Sequence, residues 1–402
     1  MSLIMKKQLR LLLVTFYGSL FAAVNPGFAQ TWTQTSAPTN YSWQAVMSSA
    51  GGSKLIAVVG GSGGIYISTN WGATWTSNNA PSPNLYSAAA SADGSRLIVG
   101  VAGGGVYVST NSGADWTTTV LPNTDWISFA SSADGSKLVA AASDFTPLYI
   151  STNSGITWTA SSTPIDYWGA VASSADGNKL VAAGFYGMYT SSNSGATWMS
   201  NNAPAGWLAA IASSADGNKV VAAAGFGNLG GLYISTNSGT TWIETGAPSN
   251  NWESVASSAD GARLIAGAGS SFGGTIYTST DYGVTWMSNN VPSGYPWRSV
   301  SSSADGNKLT AGSSFSGGTF SGGIYTLQPI PESFLNIAPS DTNLTLSWIV
   351  PSTNFVLQQN TDLTTTNWTD ATNSPVLNFT NLQNQVTLPI SAGDAFYRLK
   401  TP

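Results

Sequence analysis

The sequence predicts an all-β fold: a seven-bladed β-propeller closed by its own N-terminal strand, followed by a small β-sandwich. Three observations carry that prediction. The first is the octapeptide Ser151-Thr152-Asn153-Ser154-Gly155-Ile156-Thr157-Trp158, with further copies beginning at Ser68, Ser109, Ser191, Ser235 and Ser279. Its last residues, Trp75, Trp116, Trp158, Trp198, Trp242 and Trp286, set a period of 40–44 residues. The second is Ser-Ala-Asp-Gly on the same beat, with Asp93, Asp134, Asp176, Asp216, Asp260 and Asp305, and a degenerate first copy at Ser49-Ala50-Gly51-Gly52 that makes seven. The third is composition: 44 Gly, 42% apolar and 8% charged residues in a chain of 402. Disorder would need lower hydrophobicity and more net charge. A repeat of this length, made of short apolar runs and Gly-rich turns, is the pattern of a propeller.

Residues 1–29 read as a secretory signal. Lys6, Lys7 and Arg10 form the positive start, Leu11 to Val24 the apolar stretch, and Gly27-Phe28-Ala29 a small-x-small cleavage site. Its removal takes three of the 13 basic residues and none of the 18 acidic ones, so the net charge moves from −5 to −8. The expected compartment is outside the cytoplasm: extracellular, cell-surface or periplasmic. After cleavage no membrane span is expected, and an acidic surface argues against nucleic acid as a partner. The chain has no Cys and no His. Disulfides are thereby excluded, and so are the commonest general base and the commonest metal ligand.

Residues 30–328 carry the repeat, and each unit divides into four short strands, a to d. In the fourth unit, strand a is Trp168-Gly169-Ala170-Val171-Ala172-Ser173, followed by the Ala175-Asp176-Gly177 turn. Strand b is Lys179 to Ala183, strand c Met188 to Ser191, and after an Asn-x-Gly turn strand d starts at Thr197-Trp198. In these turns Gly supplies positive φ, and the Asn or Asp side chain accepts bonds from the turn's own backbone. The last unit stops at Gly323-Ile324-Tyr325-Thr326-Leu327 without a strand d, while Thr31-Trp32-Thr33-Gln34 stands unused at the other end. The N-terminal strand is expected to complete the seventh blade, which removes open edges. Residues 329–333 form a Pro-marked linker. Residues 334–402 lose the period and alternate as half-buried strands, as in Leu344-Thr345-Leu346-Ser347-Trp348, and are expected to form the sandwich.

The octapeptide resembles the Asp-box, or BNR repeat, Ser-x-Asp-x-Gly-x-Thr-Trp. Asp stands only at Asp281, whereas Asn70, Asn111, Asn153, Asn193 and Asn237 replace it elsewhere and keep the acceptor oxygen. The repeats are similar to the sialidase-like propeller superfamily, which includes sialidases, xyloglucan-hydrolysing enzymes, sortilin-type receptors and photosystem II assembly factor propellers. Residues 334–402 resemble fibronectin-like C-terminal modules. The superfamily resemblance implies that the Asp-boxes lie away from any active site. For a sialidase it implies an Arg triad and a nucleophilic Tyr paired with Glu. The propeller's Arg residues are only Arg96, Arg263 and Arg298, and the first two occupy the slot of Lys137, Lys179, Lys219 and Lys308, which reads as turn solvation. The basic patch of the assembly factors has no counterpart.

Strand alternation puts the a–b and Asn-x-Gly turns on one face, and the variable b–c and d–a loops on the other, where propellers bind. Candidate ligand-binding residues there are Trp126, Tyr167, Trp168, Trp207, Trp252 and Trp297. Recurrence at one slot reads as packing, and flat rings at a loop face read as platforms for sugars; Tyr167 and Trp207 sit beside the slot. Candidate catalytic acids are Asp125, Asp144 and Asp166, since glycoside hydrolysis needs two carboxylates across a cleft. The lone Asp of each Ser-Ala-Asp-Gly turn does not make a calcium site, and no metal or cofactor is expected. The leading expectation is a non-catalytic binding or scaffold protein for a glycan or protein ligand. The alternatives are a glycoside hydrolase and a display protein with no ligand.

Overall fold

The computed structural model describes residues 32–400 apart from 62, 79, 81–83, 203, 205–206, 226–229, 270–272, 293, 315–321, 328–335, 341–342, 350–355, 363–364, 366, 374, 379–382 and 390–394. The expected signal at 1–29 and the linker at 329–333 lie outside the described residues. Two compact units, Met1–Leu327 and Gln328–Pro402, make up the chain. Every regular element among the described residues is a β-strand.

The first unit contains, among the described residues, seven four-stranded antiparallel sheets. They are numbered here as blades one to seven, with strands a starting at Trp43, Leu85, Trp126, Trp168, Leu208, Trp252 and Trp297. In blade four, Trp168–Ser173, Leu180–Gly184, Met188–Ser191 and Met199–Asn201 pair in that order. Strand d therefore starts one residue after Trp198, not at Thr197. The indole closes the turn instead, donating from Nε1 to the Gly195 carbonyl at 3.0 Å. In blade seven the outer strand is Thr33–Gln34, with Thr33 opposite Thr326 and Gln34 opposite Tyr325.

Strand b is buried along its whole length in six blades, as in Leu138–Ala142. A strand covered on both faces needs a continuous apolar run instead of alternation, and the Val, Ala and Ile runs supply it. Between blades the backbone carries a repeated bond. Ala50 donates to the Ala92 carbonyl, Ala92 to Ala133, Ala133 to Ala175, Ala175 to Ala215, Ala215 to Ala259, Ala259 to Ala304, and Ala304 back to Ala50, all at 2.6–2.8 Å.

Among its described residues the second unit holds two antiparallel sheets. Asn336–Pro339, Asn343–Ile349, Gln383–Pro389 and Val376–Asn378 form one, and Thr369–Asp370, Val356–Asn360 and Phe396–Lys400 the other. Leu346, Val386 and Leu388 of the first share a buried cluster with Leu357 of the second.

Candidate functional site

The two faces of the first unit are built differently, and the repeated face explains most of the signature residues. In each octapeptide turn the Ser hydroxyl accepts from the Gly N–H, as Ser151 does from Gly155 at 2.9 Å. The Asn oxygen accepts from the backbone four residues on, as Asn153 does from Thr157 at 2.9 Å, and Asp281 does the same for Thr285 at 2.9 Å. Two successive residues take positive φ, Ser154 at 60° and Gly155 at 84°, the geometry of a primed turn that matches strand twist. The N–H of that first residue is bonded to the a–b turn of its own blade, Ser154 to the Ser136 carbonyl at 2.8 Å. Asp115, in the Thr slot of one copy, accepts from the Asn111 amide at 2.8 Å, which is a structural role.

In the a–b turns the carboxylate accepts from Ser hydroxyls and from a backbone N–H. Asp134 takes the Ser132 hydroxyl at 2.6 Å and the Ser136 N–H at 3.0 Å. The Ser hydroxyl bond first, then the backbone bond, hold Asp93, Asp134 and Asp216 down at a pKa of about 2. The Lys and Arg slot is not a solvated one. In every blade but the seventh the stem lies on the turn glycine of the next blade: a Cβ on Gly177 would meet Lys137 Cβ at 2.9 Å, and one on Gly306 would meet Arg263 Cβ at 2.6 Å. Lys137 Nζ then donates to the Asp176 carbonyl at 2.9 Å, and Arg96 donates to the Ser154 hydroxyl. Arg96 and Arg263 are clasps between blades, which corrects their reading as turn solvators.

On the opposite face the backbone also repeats, but the side chains do not. The residue after strand b donates to the carbonyl of the residue before strand a in every blade: Phe185 to Tyr167 at 2.9 Å, Gly225 to Trp207 at 3.0 Å, Ser143 to Asp125 at 3.0 Å. These bonds give rigid rungs that carry whatever side chain the loop supplies. In blades four and five they carry aromatics, and in blade three Phe145 follows two residues after the rung. Phe145 and Tyr167 have ring centroids 3.9 Å apart, Phe145 and Tyr186 6.3 Å, Phe185 and Tyr186 5.2 Å, and Phe185 and Trp207 5.9 Å. Four are exposed, by 47% at Phe145, 38% at Tyr167, 63% at Phe185 and 67% at Tyr186, and Trp207 is half-buried. Hydrophobic rings are seldom left in water together without a use.

Tyr167 and Trp207 thus lie where a ligand could reach them, and Phe145, Phe185 and Tyr186 join them. These three fall in the variable b–c loops and are not among the residues selected from the sequence. The signal that could have found Phe145 and Phe185 is an aromatic residue at a loop position where the other blades carry Gly, Ala or Ser. The other candidate rings are corrected. Trp126, Trp168, Trp252 and Trp297 are fully buried and stand edge-on to the strand c tyrosine of their own blade, as Trp168 does to Tyr189 at 5.7 Å and Trp297 to Tyr325 at 5.3 Å. A ring packed on all sides has no face for a sugar; the recurrence at one slot reflected packing.

The candidate acids are likewise engaged. Asp125 accepts from the Gly103 N–H at 2.6 Å, and Asp144 from the Thr124 hydroxyl at 2.5 Å. Asp166 is 1% exposed and accepts from the Tyr186 N–H at 3.2 Å. Its backbone bridges Thr146, next to Phe145. Burial pushes its carboxyl above the ordinary range, partly offset by the backbone bonds of the Phe185–Tyr186 turn. Asp166 is thus a brace beneath the aromatic cluster, neither a solvated loop acid nor one open to a substrate.

Repeated four-stranded antiparallel sheets with inner strands packed blade to blade define a β-propeller. Solved propellers are similar to it. YCF48 from Cyanidioschyzon merolae superposes with a TM-score of 0.58 at 16% identity, over 75% of this chain and 99% of that one. YCF48 bound to D1 peptide gives 0.54 at 14%, over 74% and 96%. The GH74 enzyme of Niastella koreensis gives 0.59 at 14%, over 79% of this chain and 59% of that one. No protein-family model matches the sequence, and a search of curated proteins finds no match.

Proposed function

We propose that this chain is an exported, non-catalytic binding protein: a closed seven-bladed propeller that takes a neutral glycan on its variable-loop face. The observation that carries the ligand reading is the contiguous cluster of Phe145, Tyr167, Phe185, Tyr186 and Trp207. Flat apolar rings fixed on rigid backbone suit the faces of sugar rings, and the acid beneath them is buried. Ring closure is supported by the pairing of Thr33–Gln34 with Thr326 and Tyr325, and by the alanine bonds that return to Ala50. On this reading the octapeptides are Asp-boxes of the sialidase-like superfamily. The signal at 1–29 directs export, the linker spans 329–333, and residues 334–402 form a fibronectin-like sandwich.

A peptide ligand is the second reading, favoured by the solved YCF48 bound to D1 peptide. Native gels cast with neutral polysaccharides, run with reducing-end assays on the same polymers, test both. Retarded migration without release of reducing ends is the expected result. Sugar release would replace the binding reading with a glycoside hydrolase, and no retardation on any polymer would leave the peptide.

A further inference from the structure

Strand a begins with a β-bulge in every blade, between Trp168 and Ala170 in blade four and at the corresponding step in the other six. The residue inside the bulge is the one position of this strand that the repeat does not keep. Trp or Leu precedes it and Ser or Ala follows it, but the bulge itself holds Gln44, Tyr86, Glu253 and Arg298 in blades one, two, six and seven, and Gly169 and Ala209 in blades four and five. Bulges re-aim side chains and concentrate beside functional sites. Here they lie at the end of the innermost strands where the variable d–a loops enter.

Three of these residues meet. Arg298 donates to Glu253 at 3.1 Å and to the Tyr86 hydroxyl at 2.8 Å. Arg298 belongs to blade seven and Tyr86 to blade two, so the guanidinium reaches past blade one, across the axial opening. The side chains remain partly open, Arg298 by 28% and Glu253 by 17%. A guanidinium has five N–H donors and a carboxylate about four acceptor positions, so both keep capacity after these bonds. The pair is internally neutral: an anion would face Glu253 and a cation would face Arg298. A neutral group that donates and accepts at adjacent atoms satisfies both without bringing a net charge into a half-buried place. Trp207 of the aromatic cluster approaches the same ring of bulges at blade four, where a Cβ on Gly169 would lie 3.5 Å from its ring.

We propose that the axial mouth formed by Tyr86, Glu253 and Arg298 receives an adjacent hydroxyl pair of one sugar unit of the glycan that stacks on the aromatic cluster. The proposal rests on the glycan reading above and names a second, polar half of the same site.

The test is calorimetric titration of the full chain with cellohexaose, laminarihexaose and mannohexaose, with thermal melting of each variant as the fold control. For the hexasaccharide that binds, Arg298→Gln and Glu253→Gln are each expected to weaken binding by about tenfold or more, as loss of a charged hydrogen bond does. Tyr86→Phe, which removes one hydroxyl and leaves the packing, is expected to weaken it several-fold and keeps the proposal exposed if the charge variants fail to fold. Unchanged affinity in Tyr86→Phe and in any folded charge variant, with loss in Phe185→Ala and Tyr186→Ala, would overturn the mouth and leave the glycan reading standing. No binding of any of the three hexasaccharides would overturn both.

Discussion

The two faces of the propeller use the same trick for opposite ends. On the turn face both backbone and side chains repeat, and the repeated side chains are spent on one another: Ser on Gly, Asn or Asp on the turn, Lys on the glycine of the next blade. On the loop face only the backbone rung repeats, and the side chains on it are free to differ. Repetition therefore marks what holds the fold, and departure from repetition marks what meets the outside.

The largest expected effect tests whether repetition or position decides. Trp168 opens strand a beside the loop face, yet it repeats and is fully buried. Trp168→Ala is expected to cost about 3–5 kcal/mol in chemical denaturation; a loss under about 1 kcal/mol would mean that the ring is a surface platform after all. Gly177→Ala on the turn face comes next. Its φ of 67° and the Lys137 stem at 2.7 Å both oppose a side chain, and about 2 kcal/mol of destabilisation is expected. The double variant Phe185→Ala with Tyr186→Ala should leave stability within about 0.5 kcal/mol while weakening polysaccharide retardation about tenfold, two rings at about 0.5–1.5 kcal/mol each.

Acid should separate the faces as well. The turn carboxylates Asp93, Asp134 and Asp216 titrate at about 2 in the fold, below the ordinary unfolded value of about 3.9. Their contribution is complete above that value and is lost as pH falls through 2. Asp166 has the opposite sign, its raised pKa favouring the fold when protonated. Melting curves between pH 5 and 2 should show Tm falling, and a Tm that stays level would remove the turn carboxylates from the stability account. The smallest effect is Asn153→Asp, expected within about 0.5 kcal/mol at pH 7, because Asp281 already makes the same bond to the backbone.

The repeat was legible because its turns are local: Ser, Asn and Gly within eight residues close a loop by bonds that need no distant partner. The rungs, the alanine bonds and the Lys–Gly clasps were not, since each joins residues from different strands or blades. Phe145, Phe185 and Tyr186 were missed for a related reason. A loop that breaks the pattern gives no periodic signal, and only the fold brings together the two loops that hold them. The meeting of Arg298 with Tyr86 was still less accessible, because it joins bulge positions of two blades more than 200 residues apart in sequence.

The pairing of Thr33 with Thr326 has a kinetic consequence. The outer edge of the last sheet is supplied by the first strand, so that sheet cannot be completed until the chain has been synthesised through residue 327. Contacts of such long sequence separation form late and slowly. A chain still being synthesised therefore holds its first strand without a partner until its last repeat has emerged.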